Sequence, residues 1–297
     1  MRVLVTGREG QLVRSMIEKS KGWPGIEIVP AGRPEADLEV PGSIGRGIVA
    51  QRPDAVVNAA AFTGVDQAED EPERAFRVNA DAAGEAAAAA RSVGAPIIQV
   101  STDYVFSGEL EGRIREDAQT GPLGVYGQSK LAGEEQARAA NPDHLIVRSA
   151  WVYSPFGRNF VKSIMAAAKQ RETLTVVDDQ RGSPTSALDL ADAILLALDG
   201  WRRGGRTGLG ETYHVAGAGE TSWCGFAQEI MDRCEALGLP TATVTPIRTC
   251  DWPTRARRPR NSVLDSGMFE RDFGFAMPEW RRSLAKVVEW LATKEAV

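Results

Sequence analysis

Cysteine and histidine are scarce in this 297-residue chain, at three and two residues. Cys224, Cys234 and Cys250 are odd in number and form no CxxC spacing. A disulfide framework is therefore not expected, and a reducing cytoplasm is the expected compartment. His144 and His214 lie far apart in sequence, so no histidine-based metal site is expected. Long apolar runs are missing too. No stretch reaches the roughly 18 residues that a membrane-spanning helix needs. The opening segment MRVLVTG is too short for a signal-peptide core and reads as a buried strand. An excess of positive charge is also lacking. Lysine and arginine total 35 against 40 acidic residues, a net charge of -5. That balance argues against nucleic-acid binding through bulk electrostatics.

What is present is an alternation of short apolar runs with helical patterns. Strands are expected at 3–6, 27–30, 55–58, 97–101 and 145–148. Helices are expected at 11–20, 43–51, 72–93 and 124–140, and Pro53 ends the second of these. Such βα units imply a doubly wound, Rossmann-like parallel sheet with helices on both faces. The second half is less regular, with strands expected at 174–177, 211–215 and 243–246. Helices are expected there at 188–198, 223–237 and 280–293, and 200–210 reads as a flexible loop. The fold class is thus α/β, with a smaller C-terminal α/β unit for substrate. Residues 1–152 form the expected dinucleotide domain, to which a segment near 179–216 returns. Residues 153–178 and 217–297 form the expected substrate domain.

The motif VTGREGQLV places Gly7 and Gly10 between the first strand and the first helix. Gly7 suits a tight turn. Gly10 lets backbone approach a pyrophosphate at the helix N-terminus, where free N–H groups and the dipole favour negative charge. After the second strand come Arg33, Asp37 and Leu38. Asp37 can accept a hydrogen bond from the adenosine, with Leu38 against its ring. Arg33 stands where a 2′-phosphate would lie, which favours NADPH while leaving NADH open. Thr102 follows an apolar strand at the ligand edge of the sheet. Tyr126 and Lys130 are four residues apart, on one face of a helix. A lysine near a tyrosine favours phenolate, and a threonine hydroxyl can bind the same substrate oxygen. Together they suit protonation of an alkoxide as hydride arrives. Two bland readings stand beside these. Asp103 caps a turn, or it meets substrate. The basic run RARRPR at 255–260 is a solvated loop, or it is a lip for a phosphate-bearing ligand.

The motifs VTGREGQ, VNAAAFTGVD, VN at 78–79, STDYVF and YGQSK together resemble an extended short-chain dehydrogenase/reductase. With IVRSAWVY, GRNF, VVDDQRGSPT and the run from Pro253 to Asp265, the chain more closely resembles the dTDP-4-dehydrorhamnose reductase family along its whole length. That resemblance implies NAD(P)H-dependent reduction of the 4-keto group of dTDP-4-dehydro-β-L-rhamnose to dTDP-L-rhamnose. It implies Tyr126 as proton donor, Lys130 as anchor of the nicotinamide ribose and Thr102 as orienter of the carbonyl. It places Gly7, Gly10, Gln11, Leu12, Ala61, Phe62, Thr63 and Asn79 along the cofactor. It places Asp103 and Trp151 at the sugar, with Tyr104 as their neighbour. Of the basic run, Arg258, before Pro259, is the arginine expected to contact the diphosphate. Val13 replaces a glycine of the family pattern. Ser15 stands where members with a bridging magnesium carry glutamate, so no metal is expected, and a homodimer would form without one. Phe62 replaces the usual Tyr or His. Two other functions remain open: reduction of another deoxysugar nucleotide, and a non-catalytic role like that of the regulatory subunit of methionine adenosyltransferase.

Overall fold

The computed structural model describes residues 1–295. The first half runs β1 (Arg2–Thr6), α1 (Gln11–Ser20), β2 (Glu27–Ala31), α2 (Ser43–Gln51) and β3 (Ala55–Asn58). It continues through α3 (Val65–Asp70), α4 (Pro72–Phe76), α5 (Ala82–Ser92), β4 (Ile97–Thr102), α6 (Val125–Ala140) and β5 (His144–Ser149). The second half has β6 (Val152–Tyr153), α7 (Phe160–Ala168), β7 (Thr173–Val177), β8 (Arg181–Gly182), β9 (Thr185–Ser186) and α8 (Ala187–Arg202). Then follow β10 (Glu211–His214), β11 (Thr221–Ser222), α9 (Trp223–Ala236), β12 (Thr243–Ile247), β13 (Asn261–Ser262), α10 (Gly267–Phe273) and α11 (Trp280–Glu295).

The main sheet has the order β2-β1-β3-β4-β5-β10, with every pair parallel. From β1 the chain steps outward to β2, then returns to the other side of β1 as β3. The loops after β1 and β3 therefore diverge, which opens the crevice where doubly wound sheets bind ligands. Both faces are covered. Val3 and Val5 pack with Met16 of α1 and with Leu190, Ile194 and Leu198 of α8. Leu4 points the other way, toward Ile44 and Ile48 of α2 and the alanines of α5. That period-2 split in one fully buried strand explains its continuous apolar run.

A third core gathers Tyr153, Ile164, Leu174, Phe226, Trp280 and Leu284, from α7, α9, α11 and their short strands. α10, expected with the substrate half, lies elsewhere: Phe269 and Phe273 pack on Tyr213 of β10, in the main-sheet core. The loop expected at 200–210 begins later, because α8 runs to Arg202. It is also tied down. Arg202 and Arg203 pair with Asp199, and the Trp201 indole donates to the Thr207 carbonyl at 3.0 Å.

The expected helix at 72–93 is interrupted by one π-helical turn at Arg77–Asp81. This widened turn brings the Asn79 carbonyl against α6. A Cβ placed on Gly133 would lie 2.0 Å from that oxygen. The neighbour is backbone on both sides, so it cannot rotate away. Gly133→Ala should cost about 3 kcal/mol, the upper end for overpacking. A urea midpoint within error of wild type would show that the two helices separate freely.

Candidate functional site

β1 ends at Thr6, whose hydroxyl accepts from the Ala59 and Ala60 amides, each at 2.9 Å, and donates to Asn58 at 2.8 Å. This unforeseen residue joins the two diverging loops. Gly7 turns the chain at φ +96°, a conformation that disfavours side chains. Val13, where a small residue is usual, is buried and fits: a Cβ on Gly7 would still be 3.4 Å from its methyl. α1 then starts behind Gly10 with no side-chain cap and no acid in its first turn. A Cβ on Gly10 would meet nothing within 4 Å, so there is open space beside the uncapped helix start. Gln11 is partly spent on structure, since its carboxamide oxygen accepts from Ser154 at 3.0 Å. Leu12 is both core and cavity wall.

A cavity of about 730 Å³ runs from this loop to the end of β4. Gly7, Gly10, Gln11, Leu12, Ala61, Thr63, Thr102, Asp103, Tyr104, Tyr126, Lys130 and Trp151 all line it. Residues as far apart in sequence as Gly7 and Trp151 thus share one space. A dinucleotide fits this cradle, because the uncapped helix end, the open Gly10 and the distance-spanning cavity are all present.

Lys130 is buried, and its ammonium donates to the Val100 carbonyl at 2.7 Å. Burial pulls it down to about 8, and the Glu134 carboxylate opposes that. The Tyr126 phenol goes the other way from the sequence expectation. Desolvation pushes it up to about 12, with the neighbouring Thr102 hydroxyl opposing and the Asp103 charge adding to the rise. The expected lysine effect is overtaken because desolvation of the buried phenol outweighs it. A phenol that keeps its proton is what a proton donor needs. Thr102 donates to Asp103 at 2.9 Å, and desolvation raises the buried Asp103 carboxyl to about 6. Tyr104 packs edge-on against Tyr126, with ring centroids 5.4 Å apart. The N-terminus of α6 is held from outside, where Glu69 accepts from the Val125 amide at 2.9 Å.

Trp151 has φ +48°, a strained value for a bulky residue. It stacks on Trp223 at 3.6 Å between centroids. Trp223 also lines the cavity, although its sequence position suggests packing alone.

A second cavity of about 440 Å³ holds Arg33, Asp37, Leu38, Ala61 and Phe62. Arg33 is largely exposed and reaches only Glu39, at 3.9 Å. Two arginines missed in the sequence join it, Arg8 and Arg74, paired with Glu35 at 2.6 Å and Glu39 at 2.7 Å. The Asp37 carboxylate already accepts from the Glu39 amide at 3.0 Å. Asn79 is absent from both cavity walls. It is buried, accepts from Phe62 N–H at 2.8 Å and donates to Ser129 at 2.9 Å. It therefore acts on the cofactor wall only through Phe62 and α6.

Arg258 is not a free cation. Its guanidinium grips Asp66 of α3 with contacts of 2.7 and 3.2 Å, which lowers the Asp66 carboxyl. It lines a third cavity of about 440 Å³, with Phe160, Trp223 and Trp252. Arg255 pairs likewise with Asp70. Among the described residues no group of three His, Cys, Asp or Glu could hold a metal ion, and no helix is long and apolar enough to cross a membrane.

Comparison with known proteins decides the family. The family model described as RmlD substrate binding domain matches residues 1–293. The chain belongs to the dTDP-4-dehydrorhamnose reductase family. The member from Sinorhizobium fredii is 40% identical over 288 residues, covering 97% of each chain. The crystal structure of the Clostridium acetobutylicum member superposes with a TM-score of 0.90 at 38% identity, covering 98% of this chain and 100% of that one. The Bacillus anthracis member, solved in complex with NADP, gives 0.88 at 33% identity, covering 97% and 99%.

Behind the cavity lies a feature no motif announced. Glu134, fully buried, accepts from Ser101 of β4 at 2.6 Å and from Arg148 of β5 at 2.8 and 2.7 Å. Glu134→Ala should cost about 3–5 kcal/mol, because it strands the buried Arg148 charge. Chemical denaturation measures this, and a loss under about 1 kcal/mol would show water solvating the arginine.

Proposed function

We propose that the chain reduces the 4-keto group of dTDP-4-dehydro-β-L-rhamnose to dTDP-L-rhamnose with NADPH. The observation that carries this reading is the single cavity joining the α1 N-terminus to Thr102, Tyr126 and Lys130. Its support from relatives is the family membership and the NADP-bound Bacillus anthracis structure.

The reduced nicotinamide, when bound, supplies the hydride. The chain's residues do the rest. Tyr126 carries the proton that the developing alkoxide takes at its oxygen. Thr102, beside Tyr126 in the cavity wall, orients the carbonyl. Lys130, held by Val100, presents positive charge to the nicotinamide ribose and to the phenolate left after proton transfer. Asp103, Tyr104 and Trp151 shape the sugar end. Gly7, Gly10, Gln11 and Leu12 carry the pyrophosphate, and Ala61, Phe62 and Thr63 form the wall after β3, with Asn79 positioning it. Asp37 and Leu38 face the adenosine. In this reading residues 1–152 and 179–216 hold the dinucleotide, and 153–178 with most of 217–297 hold the sugar nucleotide. The enzyme works in the cytoplasm as a homodimer without a bridging metal.

The test is loss of NADPH absorbance with a panel of dTDP-keto sugars. Turnover only with a different deoxysugar would move the assignment within the family, and none at all would favour a binding role. Tyr126→Phe keeps the ring and removes the proton. It should lower kcat by roughly 10²–10⁴ with dinucleotide affinity unchanged. Near-normal turnover would strip Tyr126 of its role.

Arg33→Ala should raise Kd for NADPH about 5- to 20-fold and leave NADH nearly unchanged, since only the 2′-phosphate is lost. Equal weakening of both would place the phosphate elsewhere, with Arg8 and Arg74 the next residues to substitute.

A further inference from the structure

The loop after β6 runs back across the start of α1. Gln11 donates to the Val152 carbonyl at 3.4 Å and accepts from Ser154 at 3.0 Å. A Cβ on Gly157 would lie 3.3 Å from the Gln11 side chain and 3.8 Å from the Glu9 carbonyl. A segment from the second half of the chain is thus fixed against the glycine loop of the first. The next residue, Arg158, lines the same cavity as Gly7, Gly10 and Gln11.

Charge accounting singles this arginine out. The N-terminus of α1 offers N–H groups and a partial positive charge, while a pyrophosphate brings two full negative charges. Two cationic side chains line the cavity, Lys130 and Arg158. Lys130 is buried at the far end and occupied by Val100. Arg158 is exposed, and its guanidinium has no ion pair or hydrogen bond among the described residues. The loop's own carboxylate does not neutralise it. Glu9 is held by Arg14 at 2.8 Å, and Arg14 in turn lies 5.0 Å over the Phe156 ring.

We infer that Arg158 is a ligand of the dinucleotide pyrophosphate, closing over it from the side opposite the α1 N–H groups. This rests on the reading that the dinucleotide lies across that helix end. A planar guanidinium pairs with two phosphate oxygens at once, which suits a loop residue that must find its ligand as it binds. The pyrophosphate is common to NADPH and NADH, so this contact strengthens both equally. It differs in that from any contact to the 2′-phosphate. It also makes the β6–α7 loop part of the dinucleotide site, although the chain around it belongs to the third core.

The experiment is equilibrium binding of NADPH, NADH and dTDP, each alone, to the full chain, followed by ligand or tryptophan fluorescence. Arg158→Ala should raise Kd for both dinucleotides by the same factor, roughly 5- to 30-fold, as for a charge-assisted contact at an exposed site. The factor should shrink in high salt. Arg158→Lys should restore part of the affinity, and dTDP affinity and the thermal midpoint should not move. Weakened dTDP with unchanged dinucleotides would assign the arginine to the substrate instead. Loss for NADPH alone would assign it to the 2′-phosphate, and no change for any ligand would leave it a solvated residue. Each of these three overturns the inference. A wild-type chain that binds neither dinucleotide overturns the reading beneath it, a result distinct from all of these.

Discussion

One buried carboxylate fixes the relation between α6 and the main sheet. Glu134 stands one turn beyond Lys130 and binds Ser101 and Arg148 inside the protein. Ser101 immediately precedes Thr102, and Arg148 precedes Ser149, which lines the cavity. The three bonds from Ser101 and Arg148 therefore set the register of α6, β4 and β5 relative to one another, and Arg138 of α6 adds a fourth at 2.9 Å. Apolar packing alone tolerates small slides between a helix and a sheet. A polar network in a low-dielectric interior does not, because each lost bond strands a desolvated group.

Close backbone approach completes the constraint. A Cβ on Gly127 would lie 2.2 Å from the Tyr104 carbonyl, so α6 meets the segment after β4 with nothing between them. That proximity places the Tyr126 ring edge-on to Tyr104 and within reach of Thr102. It also produces the electrostatics of the site. The phenol is desolvated beside the Asp103 charge, so it holds its proton more firmly than in water, while burial loosens the Lys130 proton and the Glu134 carboxylate opposes that.

The parts legible in the sequence are those written in local pattern. Apolar runs locate the strands of the main sheet, and Gly7, Gly10, Tyr126 and Lys130 stand in recognisable spacings. The parts that are not legible depend on residues far apart in the chain. Asp66 captures Arg258 across 192 positions, which no count of positive charges in RARRPR reveals. The direction of the Tyr126 shift follows from desolvation, whereas sequence spacing shows only the charge four residues away. The π-helical turn at Arg77–Asp81 carries no compositional mark, since its residues read as ordinary helix. Trp223 reads as core or surface packing because helical periodicity cannot distinguish a wall that faces protein from one that faces a cavity. α10 escapes for a similar reason: its phenylalanines fit either core, and topology chooses the main sheet.

The indole of Trp151 is packed tightly by both Trp223 and the backbone at Gly182. A Cβ on Gly182 would lie 2.3 Å from the ring, which also stacks on Trp223. The three residues come from the end of β5, from β8 and from α9, so a strained tryptophan serves as the rivet between segments otherwise far apart. Redesign of this cavity wall must treat them as one unit. A smaller side chain at 151 would enlarge the cavity, but it would also empty the seam between these segments. A larger residue at 182 would have nowhere to go until 151 had shrunk. Variation of this wall should therefore move through paired exchanges, with single substitutions at 182 closed to it.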